Sequence, residues 1–252
     1  MPRLLAIDTS TEACSVALYD GVHLREHVVD APREHVQRIL PMIDAVLAES
    51  AWTLRDLDAI AFARGPGSFT GLRICIGVVQ GLAYGANLPV VPVSTLAALA
   101  QTAVEKQAAV DTQQIRSGSY LCSAIDARMD EIYCGWFRVG DDGLVVAVGD
   151  ERVCKPEALP LLDAFQSKAN GLTSACYGVG TGWRYGERLP QFARASTDAD
   201  LLPRASAVAR LALVEWNNGV RLTAGEAQPV YLRNEVAWVK DPMWAKNSEQ
   251  KN

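Results

Sequence analysis

AFARGPGSFTGLRICIGVVQGLAYGANLPVVP, Ala61 to Pro92, is the stretch from which the rest of the chain is read. It opens with the end of an apolar run, Ala59 to Ala63, that predicts a buried strand. Gly65-Pro66-Gly67 breaks the chain sharply. Ser68 or Thr70 then caps a helix by accepting a hydrogen bond from its first free N–H groups. The helix is expected to run to about Asn87, with Pro89 just past its end. Gly77, Gly81 and Gly85 recur every four residues and share one helical stripe. Each glycine costs roughly 1 kcal/mol against alanine in a helix, so the stripe costs about 3. A bare stripe admits a close backbone, either the protein's own sheet or a partner helix. The Gly-Pro-Gly turn has no Lys after it and so is no G-x-x-x-x-G-K-[ST] loop. A plain strand-to-helix turn is the better reading, although a helix N-terminus can also seat an anion.

The 252 residues suit one large domain or two small ones, and 49% apolar against 21% charged residues allow a substantial core. A net charge of −5 makes the chain alone a poor match for a phosphate backbone, so any nucleic acid is served through a partner. No leader is legible, because Met1-Pro2-Arg3 leads straight into a strand. No apolar run reaches the roughly 18 residues of a membrane span. The cysteines at 14, 75, 122, 134, 154 and 176 are scattered without a C-x-x-C pair. That suits reduced, mostly buried thiols in a cytoplasm better than disulfides or zinc, although an even count also permits disulfides.

Taken in order, Leu4 to Asp8 and Ser15 to Tyr19 read as strands, Asp20-Gly21 as a hairpin turn and Val22 to Val29 as a third strand. His23 and His27 fall in that strand about 13 Å apart, too far to share a metal, and are expected to face solvent. Pro32 to Glu49 reads as a helix with an apolar face of Val36, Ile39, Leu40, Ile43, Val46 and Leu47. His35 at its start is expected to be structural or interfacial. Pro89 to Val93 is a strand, and Ser94 caps a helix to about Lys106. Residues 107–118 read as a linker. Ala124-Ile125-Asp126 then repeats Ala6-Ile7-Asp8, and Gly135-Trp136-Phe137 repeats Ala17-Leu18-Tyr19 at the same spacing. Asp142-Gly143 stands where Asp20-Gly21 stood, with Val145 to Cys154 as the third strand. The plan predicts a duplicated α/β unit. Pro156 to Lys168 reads as a helix, Thr173 to Val179 as a strand ending in a glycine-rich turn, and Pro203 to Asn218 as a helix stopped at Gly219. The polar end of the chain is expected to fray.

The chain holds no G-x-S-x-G elbow, and its three histidines all precede residue 36. Asp8 and Asp126 stand at strand ends where paired carboxylates hold Mg²⁺ in phosphoryl-transfer clefts. The turn after Asp8 is Thr9-Ser10-Thr11, where a phosphate loop needs glycine so that backbone can approach the phosphate. Arg64 and Arg73 can neutralise an anion or meet solvent or a partner's carboxylates.

LLAIDTSTEACSVALYDG, ARGPGSFTGLRICIGVVQGLA, AIDARMDEIY and PVYLR resemble the TsaB family, also called YeaZ, from about Leu4 to Lys240. The resemblance implies an α/β, duplicated actin-like ATPase fold of two mixed-sheet subdomains flanked by helices: 1–108 with the partner-docking helices, and 109–252, whose final helix packs back on the first. It implies a non-catalytic subunit that binds TsaD, and with it TsaE, for threonylcarbamoylation of N6 of adenosine 37 in tRNAs reading ANN codons. TsaC or its relative supplies threonylcarbamoyl-AMP. ATP and metal are expected on TsaD and none on this chain; tRNA is met only through the complex, and no membrane is involved. TsaD carries two metal-binding histidines four residues apart where this chain has Thr95 and Leu99, and neither replaces an imidazole. The resemblance places the docking surface on the helices matching Arg33–Glu49 and Ser68–Gly85, which pack on TsaD or on a second copy in its absence. The candidate contacts are Val36, Ile39, Leu40, Ile43 and Leu47 on the first and Phe69, Leu72, Arg73, Gly77, Gly81 and Gly85 on the second. Asp8, Ser10 and Thr11 are candidate vestigial or interfacial nucleotide contacts. A glycoprotease-like peptidase or an ATPase of the same fold is the alternative, since fold alone does not decide function.

Overall fold

A computed structural model describes residues 1–109, 115–160, 162, 176–190 and 197–233. The first sheet contains β1 (Leu4–Asp8), β2 (Ala13–Tyr19), β3 (Leu24–Asp30), β4 (Ala59–Ala63) and β5 (Val90–Val93) in the order β3-β2-β1-β4-β5. β1 to β3 form an antiparallel meander, whereas β4 and β5 run parallel to β1. Parallel neighbours need crossovers, here α1 (His35–Glu49) between β3 and β4 and α2 (Phe69–Ala86) between β4 and β5. α3 (Thr95–Ala109) leads to the second sheet.

That sheet repeats the plan. β6 (Tyr120–Arg128), β7 (Glu131–Val139), β8 (Val145–Ala147), β10 (Cys176–Val179) and β11 (Thr197–Asp198) lie in the order β11-β10-β6-β7-β8, and β9 (Arg152–Cys154) also pairs with β7. β6 corresponds to β1 and β7 to β2, with β10 and β11 standing for β4 and β5. The Asp8 and Asp126 motifs therefore occupy equivalent strand ends. α4 (Ala205–Asn217) returns to the first sheet, packing on β1, β2, β4 and β5.

The period-two alternation of β1 shows how the layers form. Leu5 and Ile7 face α1 and α2, together with Val16, Leu18, Ile60 and Phe62. Leu4 and Ala6 face the other way, toward Leu96 and Leu99 of α3 and Ala205 and Val208 of α4. The same cluster continues into Leu121, Ile125, Phe137 and Val179 of the second sheet. α3 and α4 thus lie between the two sheets, and one core serves both.

Several boundaries differ from the expectations. β3 starts at Leu24 because the Asp20 carboxylate accepts the N–H groups of Val22 and His23 (2.9 and 2.7 Å) and prolongs the turn. His23 accordingly precedes the strand and is exposed, while His27 is only partly exposed and faces Glu49 at 3.1 Å. α1 starts at His35 because Arg33 has φ +70°, outside the helical region. α3 runs through to Ala109, shortening the expected linker. The single strand expected over Val145 to Cys154 is two short ones, β8 and β9, with Gly149 at φ +83° between them. The expected helix from Pro156 begins as a 3₁₀ turn, Pro156–Ala158; its continuation, and residues 173–175 of the following strand, lie outside the described residues, as does the tail from 234.

Candidate functional site

The Thr9-Ser10 turn after β1 is pressed onto the N-terminus of α2, backbone against backbone. Ser68 caps α2, its Oγ accepting from Gly71 N at 3.3 Å, and Ser68 N donates to the Ser10 carbonyl at 2.8 Å. The Thr9 hydroxyl donates to the Gly71 carbonyl at 2.8 Å. A Cβ on Gly67 would stand 2.5 Å from the Ser10 carbonyl oxygen, and one on Gly71 would overlap the Thr9 carbonyl. The Gly-Pro-Gly turn and Gly71 therefore let the β1–β2 turn press onto the helix N-terminus. Ser68 N and Gly71 N at this helix start are both met by acceptors of the chain itself.

Asp8, Ser10 and Thr11 are all buried, so these three residues present no surface to a nucleotide. Asp8 Oδ1 accepts from Ser10 N at 2.7 Å, while Asp8 Oδ2 and Ser10 Oγ have no partner in the chain. Burial raises the Asp8 carboxyl from its usual 3.8 to about 6, against the lowering effect of Ser10. Asp126, at the equivalent strand end, is bound to Tyr185 Oη (3.2 Å) and Arg128 N (3.0 Å). Thr95 and Leu99 are fully buried, and Thr95 Oγ1 accepts from Gly65 N at 3.2 Å. Among the described residues no group of three or more His, Cys, Asp or Glu side chains is placed to hold a metal. Thr95 and Leu99 offer no imidazole to a metal. The second glycine-rich turn serves packing: Trp183 donates to the Cys122 carbonyl at 3.0 Å, and Thr181 Oγ1 accepts from Asp126 N at 3.0 Å.

The opposite, outer side of the first sheet carries the exposed helices. Leu72, Cys75, Ile76, Val79 and Ala83 turn α2 inward onto the sheet. Phe69, Arg73, Gly77, Gly81 and Gly85, each four residues apart, form its exposed stripe. A Cβ on Gly77, Gly81 or Gly85 would meet nothing within 4 Å. Packing on the protein's own sheet therefore does not account for these glycines. Gly81 and Gly85 line a groove of about 320 Å³ with Leu54, Arg55, Leu82 and Ala86. By length and composition alone α2, with 18 residues and mean hydropathy 1.2, is a helix that could cross a membrane; here its buried face lies on the sheet. On α1, Val36 and Leu40 are exposed at 66% and 48%.

Other residues expected on this surface point elsewhere. Ile39, Ile43, Leu47 and Leu72 are buried beneath α1 and α2, so the exposed surface is narrower than the full apolar face. His35 is buried, with Nε2 lacking a partner. Tyr231 was missed as a surface residue. Its ring lies 5.5 Å from Phe69 and its hydroxyl accepts from Arg73 Nε at 3.3 Å, while the Arg73 guanidinium stacks 3.7 Å from the Phe69 ring. The Pro-Val-Tyr-Leu-Arg string marked its neighbourhood but not its contact.

Two mixed sheets of matched order, with α3 and α4 between them, define an actin-like ATPase fold. A family model described as "TsaD: tRNA N6-adenosine threonylcarbamoyltransferase" matches residues 5–238. The Escherichia coli tRNA threonylcarbamoyladenosine biosynthesis protein TsaB is 41% identical over 245 residues, 95% of this chain and 98% of its own. Its Haemophilus influenzae counterpart is 43% identical over 253 residues, 95% and 97% of the two chains. The solved structure of YeaZ from Pseudomonas aeruginosa superposes with a TM-score of 0.81 at 45% identity, covering 92% of this chain and all of that one. The chain belongs to the TsaB family.

Proposed function

We propose that this chain is a non-catalytic subunit for making threonylcarbamoyladenosine in tRNA. It docks on TsaD and, through it, works with TsaE in threonylcarbamoylating N6 of adenosine 37 in tRNAs reading ANN codons. The carrying observation is the exposed stripe Phe69-Arg73-Gly77-Gly81-Gly85, whose three glycines nothing inside the chain requires. An apolar helical stripe without side chains lets a second helix backbone come close, as small residues do where helices pack tightly. The partner supplies the ATP and metal site; this chain meets tRNA only through the complex and works in the cytoplasm. In TsaD's absence a second copy takes the same face.

Pull-down and mass photometry with TsaD test the reading. Gly81→Leu is expected to weaken binding at least about tenfold, equivalent to about 1.4 kcal/mol, with circular dichroism unchanged. Unchanged binding would sink it. A peptidase or ATPase reading has the support of one neighbour, a Pseudomonas aeruginosa structure described as similar to peptidase YEAZ. The buried β1–β2 turn weighs against it. ATP turnover or casein cleavage by the isolated chain, lost on Asp8→Ala, would establish the enzyme reading instead.

A further inference from the structure

The cysteines, dispersed along the sequence, converge in space. Cys122, Cys134, Cys154 and Cys176 share the outer cluster of the second sheet with Trp136 and Trp183. All six of the chain's cysteines are free thiols. On β7, Cys134 stands opposite Arg152, and Ile132 stands opposite Cys154. The two cysteines therefore lie on the same face, diagonally across the β7–β9 pair, with Sγ atoms 3.7 Å apart. Such a diagonal ordinarily separates Cα atoms by about 7–8 Å, beyond the usual disulfide range of about 4.4–6.8 Å. β9, however, is a three-residue strand between the Gly149 turn and a 3₁₀ turn. Closing the 3.7 Å between the sulfurs to the bonded distance of about 2.05 Å requires this short segment to shift along β7.

We propose that Cys134 and Cys154 form a reversible dithiol–disulfide site, oxidised by exchange with a low-molecular-weight disulfide of the glutathione class. The two thiols are unequal in the way exchange requires. Cys154 is partly exposed, whereas Cys134 is buried. The hydrogen bond from Cys134 lowers the Cys154 thiol, with Arg152 assisting and burial and Glu131 opposing. The same bond, with burial, raises Cys134. Cys154 thiolate attacks one sulfur of the small disulfide, forming a mixed disulfide and expelling one small thiolate. Cys134 then loses its proton to solvent and attacks the Cys154 sulfur, expelling the second small thiolate. Two protein thiols are oxidised and one small disulfide is reduced to two thiols, so atoms and electrons balance.

The bond would fix β9 to β7. Glu151, immediately before β9, accepts from the Ser94 hydroxyl, which itself accepts from Ala97 N at 3.1 Å at the start of α3. Oxidation therefore acts on the strand that ties the second sheet to the helix between the sheets.

The test is incubation of the full chain in a glutathione redox series, read by intact mass, thiol titration after denaturation, and non-reduced peptide mapping. The expected result is a fall from six titratable thiols to four, the loss of two hydrogens in mass, and a Cys134–Cys154 linked peptide reversed by dithiothreitol. Cys134→Ser is expected to hold glutathione on Cys154 as a stable mixed disulfide. In Cys154→Ser, Cys134 is expected to stay unmodified. Near-ultraviolet circular dichroism checks that both variants are folded. Six thiols persisting across the series, a stable glutathione adduct on the unaltered chain, or a linked Cys122–Cys176 peptide would each overturn the proposal.

Discussion

Burial makes the ionised form of Asp8 costly to the fold. Its carboxyl, 3.8 in the unfolded chain, stands at about 6 in the fold because of burial. Below about pH 3 both states are protonated and the group is neutral in its effect. Between pH 4 and 6 the unfolded chain ionises first, so stability falls as pH rises; above 6 the full penalty, about 3 kcal/mol, is present. Asp8→Asn keeps the acceptor for Ser10 N and removes the charge. Urea unfolding is expected to show the unaltered chain losing about 3 kcal/mol relative to the variant between pH 3 and pH 7.5. The glycines supply a second contrast. Gly81→Ala fills open space on a helix and is expected to stabilise the isolated chain by about 1 kcal/mol. Gly71→Ala drives a Cβ into the Thr9 carbonyl and is expected to destabilise it by roughly 2 kcal/mol or more. Equal effects at the two positions, by thermal or urea unfolding, would contradict the assignment of exposed and crowded glycines.

At the scale of elements, α2 was readable almost to the residue, because the turn, the Ser68 cap and the terminal Asn87-Leu88-Pro89 are local chemistry. What the stripe faces was not readable. A four-residue period fixes which side chains share a face, but not whether that face meets its own sheet or open solvent. α1 shows the converse. Ile39, Ile43 and Leu47 follow helix spacing because they bury beneath α1, which packs on β2 and β3, and only Val36 and Leu40 of the expected face remain for a partner. The site reading therefore merged one inward face with one outward stripe. β8 and β9 escaped for a different reason: Gly149 splits an apolar run whose alternation looks continuous. The meeting of Cys134 and Cys154 depends on β9 returning to β7, a long-range pairing that no local pattern encodes. Replacing Gly77, Gly81 and Gly85 together by alanine should raise the unfolding free energy by about 3 kcal/mol. It should also slow amide exchange along α2. Helix exchange left unchanged would mean that the stripe is not limited by backbone propensity.

For the whole molecule, the repeat of Ala-Ile-Asp and its following turn foretold the duplicated sheet order, since both copies answer to the same strand chemistry. The continuity of the core between them was less legible, because it depends on α3 and α4 presenting small and branched residues to both sheets. Leu99 is buried within that shared layer and touches the space beside Gly180. Leu99→Ala is expected to cost about 2–5 kcal/mol and to lower amide protection in β1 and β6 together. Exchange that loosened only one sheet would show that the halves unfold separately. The β1–β2 turn seated on the α2 N-terminus also makes that end of the first sheet hard to open. Ser10→Gly alone would leave the Thr9 and Ser10 carbonyls where they are, so no single substitution reopens a seat for triphosphate. Any opening at this end of the sheet has to move two backbones together, so changes made one at a time leave it shut.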